Sequence, residues 1–126
     1  DLASKPYLQP IYDEPEFVVR NVWRLYGGWY DGNPARLKPP ADSVLAAEVA
    51  ALAGGAQALV SRARAVADSG DLRLACQLVE WAVQAEPDSS EARGARSEIY
   101  GARVQAERSL MARGVYSWAA HESSTP

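Results

Sequence analysis

Ten consecutive residues, Leu25-Tyr26-Gly27-Gly28-Trp29-Tyr30-Asp31-Gly32-Asn33-Pro34, constrain this chain more than any others. They set three glycines, three aromatics and a proline into a sequence otherwise written in helix-forming residues. Glycine opens backbone conformations closed to other residues. Asp and Asn fold back onto their own backbone, and Pro ends whatever precedes it. A helix therefore stops at Gly27-Gly28, and an aromatic, glycine-rich loop follows. Trp29 and Tyr30 carry large apolar area with a polar tip that needs a partner. The loop reads either as a packed corner or as part of a binding site.

Most of the remaining sequence reads as helix. Hydrophobic residues make up 48% of the chain, dominated by Ala, Val and Leu, with few β-branched runs to favour strands. A length of 126 residues allows one domain with a single core. The net charge of -3 comes with arginines scattered among acids, and without a basic patch nucleic acid is excluded as a partner. Apolar runs all fall short of the ~20 residues of a membrane span. The chain reads as soluble, and periplasmic, secreted and cytoplasmic settings all stay open. Its single cysteine, Cys76, and single histidine, His121, make neither a zinc site nor a nucleophile–base pair. Neither a phosphate-binding loop nor a dinucleotide fingerprint is present. The chain by itself is expected to hold no catalytic residue, metal or cofactor.

Residues 1–12 carry Pro6 and Pro10 among Tyr7, Leu8, Ile11 and Tyr12, which argues for an extended arm lying on something. The domain proper is expected over 13–120. Asp13 and Glu16 resemble a capping box, with Pro15 tolerated in the first turn. Val18, Val22 and Tyr26, flanked by Val19 and Trp23, form an apolar stripe at helical spacing, read as the face of a core helix with Arg20 and Arg24 exposed. Asp42 suits the N-cap of a helix over 42–53 that is stopped by Gly54-Gly55. A further helix over about 56–69 carries Leu59, Val60, Ala63 and Val66. Cys76 lies on the next helix among Leu74, Leu78 and Val79, where a free cysteine acts as a small hydrophobe. Trp81, on that same helix, serves equally as an exposed anchor or a core plug. A last long helix is expected after Pro87, capped by Asp88, Ser89 or Ser90 and running to about Arg113, ended by Gly114. A short apolar piece from Val115 to Ala120 and a disordered tail over 121–126 follow.

The fold class is thus all-α, with about five helices. Gly70-Asp71, Ala75, Ala82 and Pro87 have the spacing of a tetratricopeptide repeat, in which small residues let two antiparallel helices approach closely. The match covers about one and a half repeats. Roughly three are needed to bury such faces, so the open faces are expected to stack against something else. A repeat-like peptide- or protein-binding module is therefore one functional reading.

A second reading comes from resemblance. Residues 15–35, Pro-Glu-Phe-Val-Val-Arg-Asn-Val-Trp-Arg-Leu-Tyr-Gly-Gly-Trp-Tyr-Asp-Gly-Asn-Pro-Ala, resemble the opening signature of the alkyl sulfatase dimerisation domain. The likeness continues through Leu52-Ala53-Gly54-Gly55-Ala56, Gly70-Asp71-Leu72-Arg73-Leu74-Ala75 and Met111-Ala112-Arg113-Gly114-Val115-Tyr116. In that family the helical segment follows a metallo-β-lactamase-type catalytic domain with a two-zinc centre, which hydrolyses alkyl sulfate esters to alcohol and sulfate. This sequence lacks the His-x-His-x-Asp-His zinc motif. By resemblance it is the helical middle domain of a sulfuric ester hydrolase, not catalytic alone, with zinc expected only in the associated catalytic domain.

The resemblance implies a homodimer and a catalytic-domain partner. It makes Trp29, Tyr30, Asp31 and Asn33 the substrate-proximal candidates, with Tyr30 able to donate to a sulfate oxygen without adding charge. Arg20, Arg24 and Arg36 are candidates for steering an anion, or simply surface ion-pair partners. Phe17, Val18, Val22, Trp23, Tyr26, Trp81, Tyr116 and Trp118 are the candidates for a dimer or domain interface.

Overall fold

Alanine decides how the helices meet. The computed structural model describes residues 4–124. Among these residues it contains six α-helices: α1 (Pro15–Gly27), α2 (Asp42–Ala53), α3 (Ala56–Asp68), α4 (Leu72–Ala85), α5 (Ser90–Ala106) and α6 (Leu110–Ser124). The buried positions are mostly small: Ala46 and Ala50 on α2, Ala56 and Ala63 on α3, Ala75 and Ala82 on α4, Ala92 and Ala95 on α5. Leu59, Val60, Val66, Val79 and Ile99 fill the space between them. A methyl side chain lets two helix backbones come near the short end of the 8–10 Å packing range. The central group is therefore α2 to α5, with α3 and α4 joined as a hairpin and α6 laid along α5.

The glycine punctuation reads through to the backbone. Gly28, Gly54 and Gly70 follow helices with φ of 80°, 94° and 95°, a region that side chains resist and glycine enters freely. Asp71 and Ser89 are N-caps, accepting from Leu74 N at 3.0 Å and Ala92 N at 3.3 Å. Asp42, expected as a cap, instead occupies the first turn of α2 behind Ala41, where its charge faces the positive end of the helix dipole. Asp13 is outside α1 altogether. Its carboxylate accepts from Glu14 N at 2.8 Å, and the helix begins at Pro15, whose missing N–H costs nothing in a first turn.

The C-terminal third departs from expectation. One long helix to Arg113 was the sequence expectation; the chain instead breaks at Glu107-Arg108-Ser109 and restarts as α6. Ser109 caps the new helix, accepting from Ala112 N at 3.2 Å. The arm completes the cap: the carbonyls of Ile11 and Tyr12 accept from Leu110 N at 2.7 Å and Met111 N at 3.0 Å. Those donors would otherwise be orphans of the first turn. Gly114, with no positive φ, is passed through as an ordinary helical residue. Helix α6 also continues to Ser124, past the start of the expected disordered tail at His121. There Arg96 of α5 holds it, donating to the Ala119 carbonyl at 2.9 Å and the Ser123 hydroxyl at 2.6 Å. The arm, expected to be extended over 1–12, includes a 3-10 turn at Pro6–Leu8. Its residues 1–3, like 125–126 of the tail, lie outside the described residues.

A polar and aromatic seam joins α4, α5 and α6. Arg96 donates to Glu80 at 2.7 Å and lies 5.3 Å from the centre of the Tyr100 ring. Tyr100 and Tyr116 pack with ring centres 5.7 Å apart, and Arg103 covers the Tyr116 ring at 5.3 Å. Burial, together with the hydrogen bond to the Glu80 carboxylate, pushes the Tyr100 phenol well above its ordinary range. The seam walls a cavity of about 330 Å³ that also touches Phe17, Arg20, Arg73 and Cys76.

Burial beside this seam pushes the Cys76 thiol up to about 11. The native protein therefore holds Cys76 protonated, whereas the unfolded chain ionises it near its ordinary pKa of about 8.5. The resulting contribution to stability is complete below that ordinary value and is lost as pH rises through about 11. Because the thiolate is the nucleophile, iodoacetamide at pH 8 should alkylate native Cys76 about 100-fold more slowly than urea-unfolded Cys76. Equal rates would contradict the burial.

Candidate functional site: an unpartnered apolar helix and its loop

Helix α1 forms where the apolar stripe predicts, but it is not a core helix. The backbone of α1 packs against that of no other helix among the described residues, and none of its residues is buried. Val18, Val19, Val22 and Trp23 are 51%, 67%, 50% and 64% exposed, and Tyr26 85%. The alanine-lined core of α2 to α5 closes against itself without any residue of α1. The expectation of a buried stripe is therefore corrected to an exposed one.

These residues line a shallow groove of about 470 Å³ formed by Val18, Val19, Val22, Trp23, Tyr26 and Gly27. Its lining is almost wholly apolar. Contiguous patches of this kind are uncommon on a monomer that works alone.

What holds α1 is thin. Phe17, half-buried, lines a recess of about 270 Å³ with Met111, Ala112, Val115 and Tyr116 of α6. Glu16 accepts from Arg73 of α4 at 2.6 Å and from Arg20 at 2.8 Å. The Arg73 guanidinium beside Glu16 holds that carboxyl below its usual range. Both arginine side chains are largely in solvent and Glu16 is about a third exposed, a setting in which such pairs add little.

The loop after α1 has a built shape. Asp31 accepts from Asn33 N at 3.0 Å, and Asn33 accepts from Ala35 N at 3.1 Å. Arg36 closes back onto the Asp31 carboxylate. The Asn33 amide and then the Arg36 guanidinium hold the Asp31 carboxyl below its ordinary value. Asp31 and Asn33 thus have their side-chain oxygens engaged in shaping the loop. Trp29 and Tyr30, edge to face with ring centres 5.9 Å apart, project from it, and are 70% and 40% exposed. Of the three arginines considered for an anion, Arg20 and Arg36 make ion pairs with Glu16 and Asp31; Arg24 is exposed.

The other interface candidates divide. Trp81 packs against the central core as a half-buried plug. Tyr116 belongs to the seam. Trp118, 62% exposed, extends an outward apolar line with Val115 and Met111 on α6. Sequence reasoning missed Ser109 and the Ile11-Tyr12 carbonyls, which cap α6 and lie just before α1. A serine one residue ahead of Leu-Met-Ala was the only available signal.

The chain is 36% identical over 98 residues to an (R)-specific secondary-alkylsulfatase of Pseudomonas sp., covering 78% of this chain and 15% of that protein. It is 37% identical over 99 residues to a linear primary-alkylsulfatase of Pseudomonas sp., covering 77% and 14%. The stereoselective inverting sec-alkylsulfatase Pisa1 from Pseudomonas sp. superimposes with a TM-score of 0.78 at 31% identity, over 86% of this chain and 17% of that one. The chain thus spans about one seventh of the length of the relatives it matches. No single helix among the described residues is long and apolar enough to cross a membrane. The alkyl sulfatase dimerisation family matches residues 1–125, essentially end to end, and the chain belongs to that family.

Proposed function

We propose that this chain is the dimerisation and assembly module of a zinc-dependent alkyl sulfatase, pairing with a second copy of itself. The observation that carries the reading is the apolar face of α1, where Val18, Val19, Val22, Trp23 and Tyr26 are each at least half exposed and left uncovered by the other described residues. Burial of apolar area is the main driving force for association, and a standard interface needs about 800 Å² from each partner. The exposed α6 line of Met111, Val115 and Trp118 offers further area of the same kind.

The hydrolysis of an alkyl sulfate ester to alcohol and sulfate would belong to a separate metallo-β-lactamase-type domain. Among the described residues no three of His, Cys, Asp and Glu gather as a metal site. By the family resemblance, zinc and the bond-breaking step would belong to that other domain. The part proposed for residues 26–34 is to abut the active site. Asp31, Asn33 and Arg36 would hold the loop, Trp29 would cover apolar surface, and Tyr30 would donate to a sulfate oxygen.

Val22 is half exposed, so Val22→Asp should leave the fold intact while placing a charge in the interface. Sedimentation equilibrium should show dimerisation weakened by about 2 kcal/mol or more, roughly 30-fold in Kd. An unchanged Kd, or a wild-type chain monomeric at every concentration, would overturn the assembly reading. In the full-length sulfatase carrying this segment, Tyr30→Phe should lower kcat/KM for an alkyl sulfate about tenfold. Unchanged kinetics would remove Tyr30 from the site.

A further inference from the structure

Helix α1 begins three residues after a clasp that joins the arm to α6. The Ile11 carbonyl accepts from Leu110 N at 2.7 Å, and the Tyr12 carbonyl from Met111 N at 3.0 Å. The Tyr12 carbonyl also accepts from the Ser109 hydroxyl at 2.7 Å. Ser109 is 0% exposed, and its oxygen is used twice, since it also accepts from Ala112 N. Outside the clasp, Arg108 donates to the Gln9 side chain at 3.1 Å. By contrast, α1 itself buries no residue and meets the rest of the chain through half-buried Phe17 and an exposed ion pair.

We propose that this clasp is the device that orients α1, with Ser109 as its positioning residue, so that the break between α5 and α6 sets where the apolar groove points. Three hydrogen bonds at one place fix the chain entering α1 in position and direction. Asp13 and Glu14 are the only residues between the clasp and the first turn. The α1 groove can then be held ready for a partner without being folded into the core. An interface helix anchored at one end loses less freedom on docking than a loose one, which favours association. The link to association rests on the assembly reading; the link to the orientation of α1 does not.

Leu110→Pro separates the two. Leu110 is the first residue of α6, where proline suits the helix, and its side chain is 52% exposed. The substitution deletes the N–H that reaches Ile11 and leaves the core untouched. Amide exchange in residues 15–27 should quicken about fivefold, with α3 and α4 unchanged. Ser109→Ala should do the same through the Tyr12 carbonyl. Unchanged exchange in α1 in both variants, or an equal rise throughout α3 and α4, would overturn the clasp. In sedimentation, a chain whose α1 exchanges faster should also dimerise more weakly. Faster exchange with an unchanged Kd would overturn the link to association, while a wild-type monomer would remove the assembly reading and leave the clasp to be judged by exchange alone.

Discussion

Close helix contact through alanine is the constraint on which the rest of this structure depends. A core lined by Ala46, Ala63, Ala75, Ala82 and Ala95, each fully buried, draws backbones together but encloses little volume. The largest fully buried side chains are Ile99, Val60, Val79 and Ser109. No tryptophan, phenylalanine or tyrosine among the described residues is fully buried. Many bulky apolar residues are exposed instead, on the arm, on α1 and the loop after it, on α2 and on the outer side of α6. A fully buried Val, Leu or Phe contributes about 1.5–3 kcal/mol, and much of this chain's supply of such contacts is left open. A surface so apolar around a core so small is what supports the proposed assembly role.

Polar bonding does for α6 what core volume does not. Arg96 has a side chain only 12% exposed and is paired with Glu80. The same guanidinium also reaches the last turns of α6, binding backbone and hydroxyl. A pair of this kind is weak evidence of net stability, because desolvation offsets most of the attraction. Its value is directional: a guanidinium fixed by Glu80 and stacked on Tyr100 can meet α6 in one register only. The clasp at Ile11 and Tyr12 does the same at the other end of α6. Two polar anchors, one at each end, place a helix that has Ala112 and Ala119 as its buried apolar contacts.

Much of the fold was legible in the sequence because it is punctuated. Gly54-Gly55, Gly70-Asp71 and Pro87 mark breaks that any chain would find hard to carry as helix, and α2, α3 and α4 lie where those marks put them. The break at Glu107-Arg108-Ser109 was not legible, since it contains no glycine or proline. It is stabilised by carbonyls almost a hundred residues away in sequence. Gly114 misled for the converse reason: glycine permits a helix end without requiring one. The apolar stripe of α1 was legible as a stripe, but its burial was not. Periodicity tells which face is apolar and not what covers it. At the loop, the Asp31 and Asn33 turn chemistry followed from residue type, while the exposure of Trp29 and Tyr30 did not.

In the proposed assembly, a second copy of the chain covers the α1 groove. Tryptophan oxidation followed by mass spectrometry, over a range of protein concentrations, tests it most directly, because Trp23 lies in the groove while Trp81 is a fixed half-buried reference. Trp23 should be oxidised readily at high dilution and become at least as protected as Trp81 as the concentration rises. A Trp23 that stays equally reactive at every concentration, with Trp81 constant throughout, would contradict it.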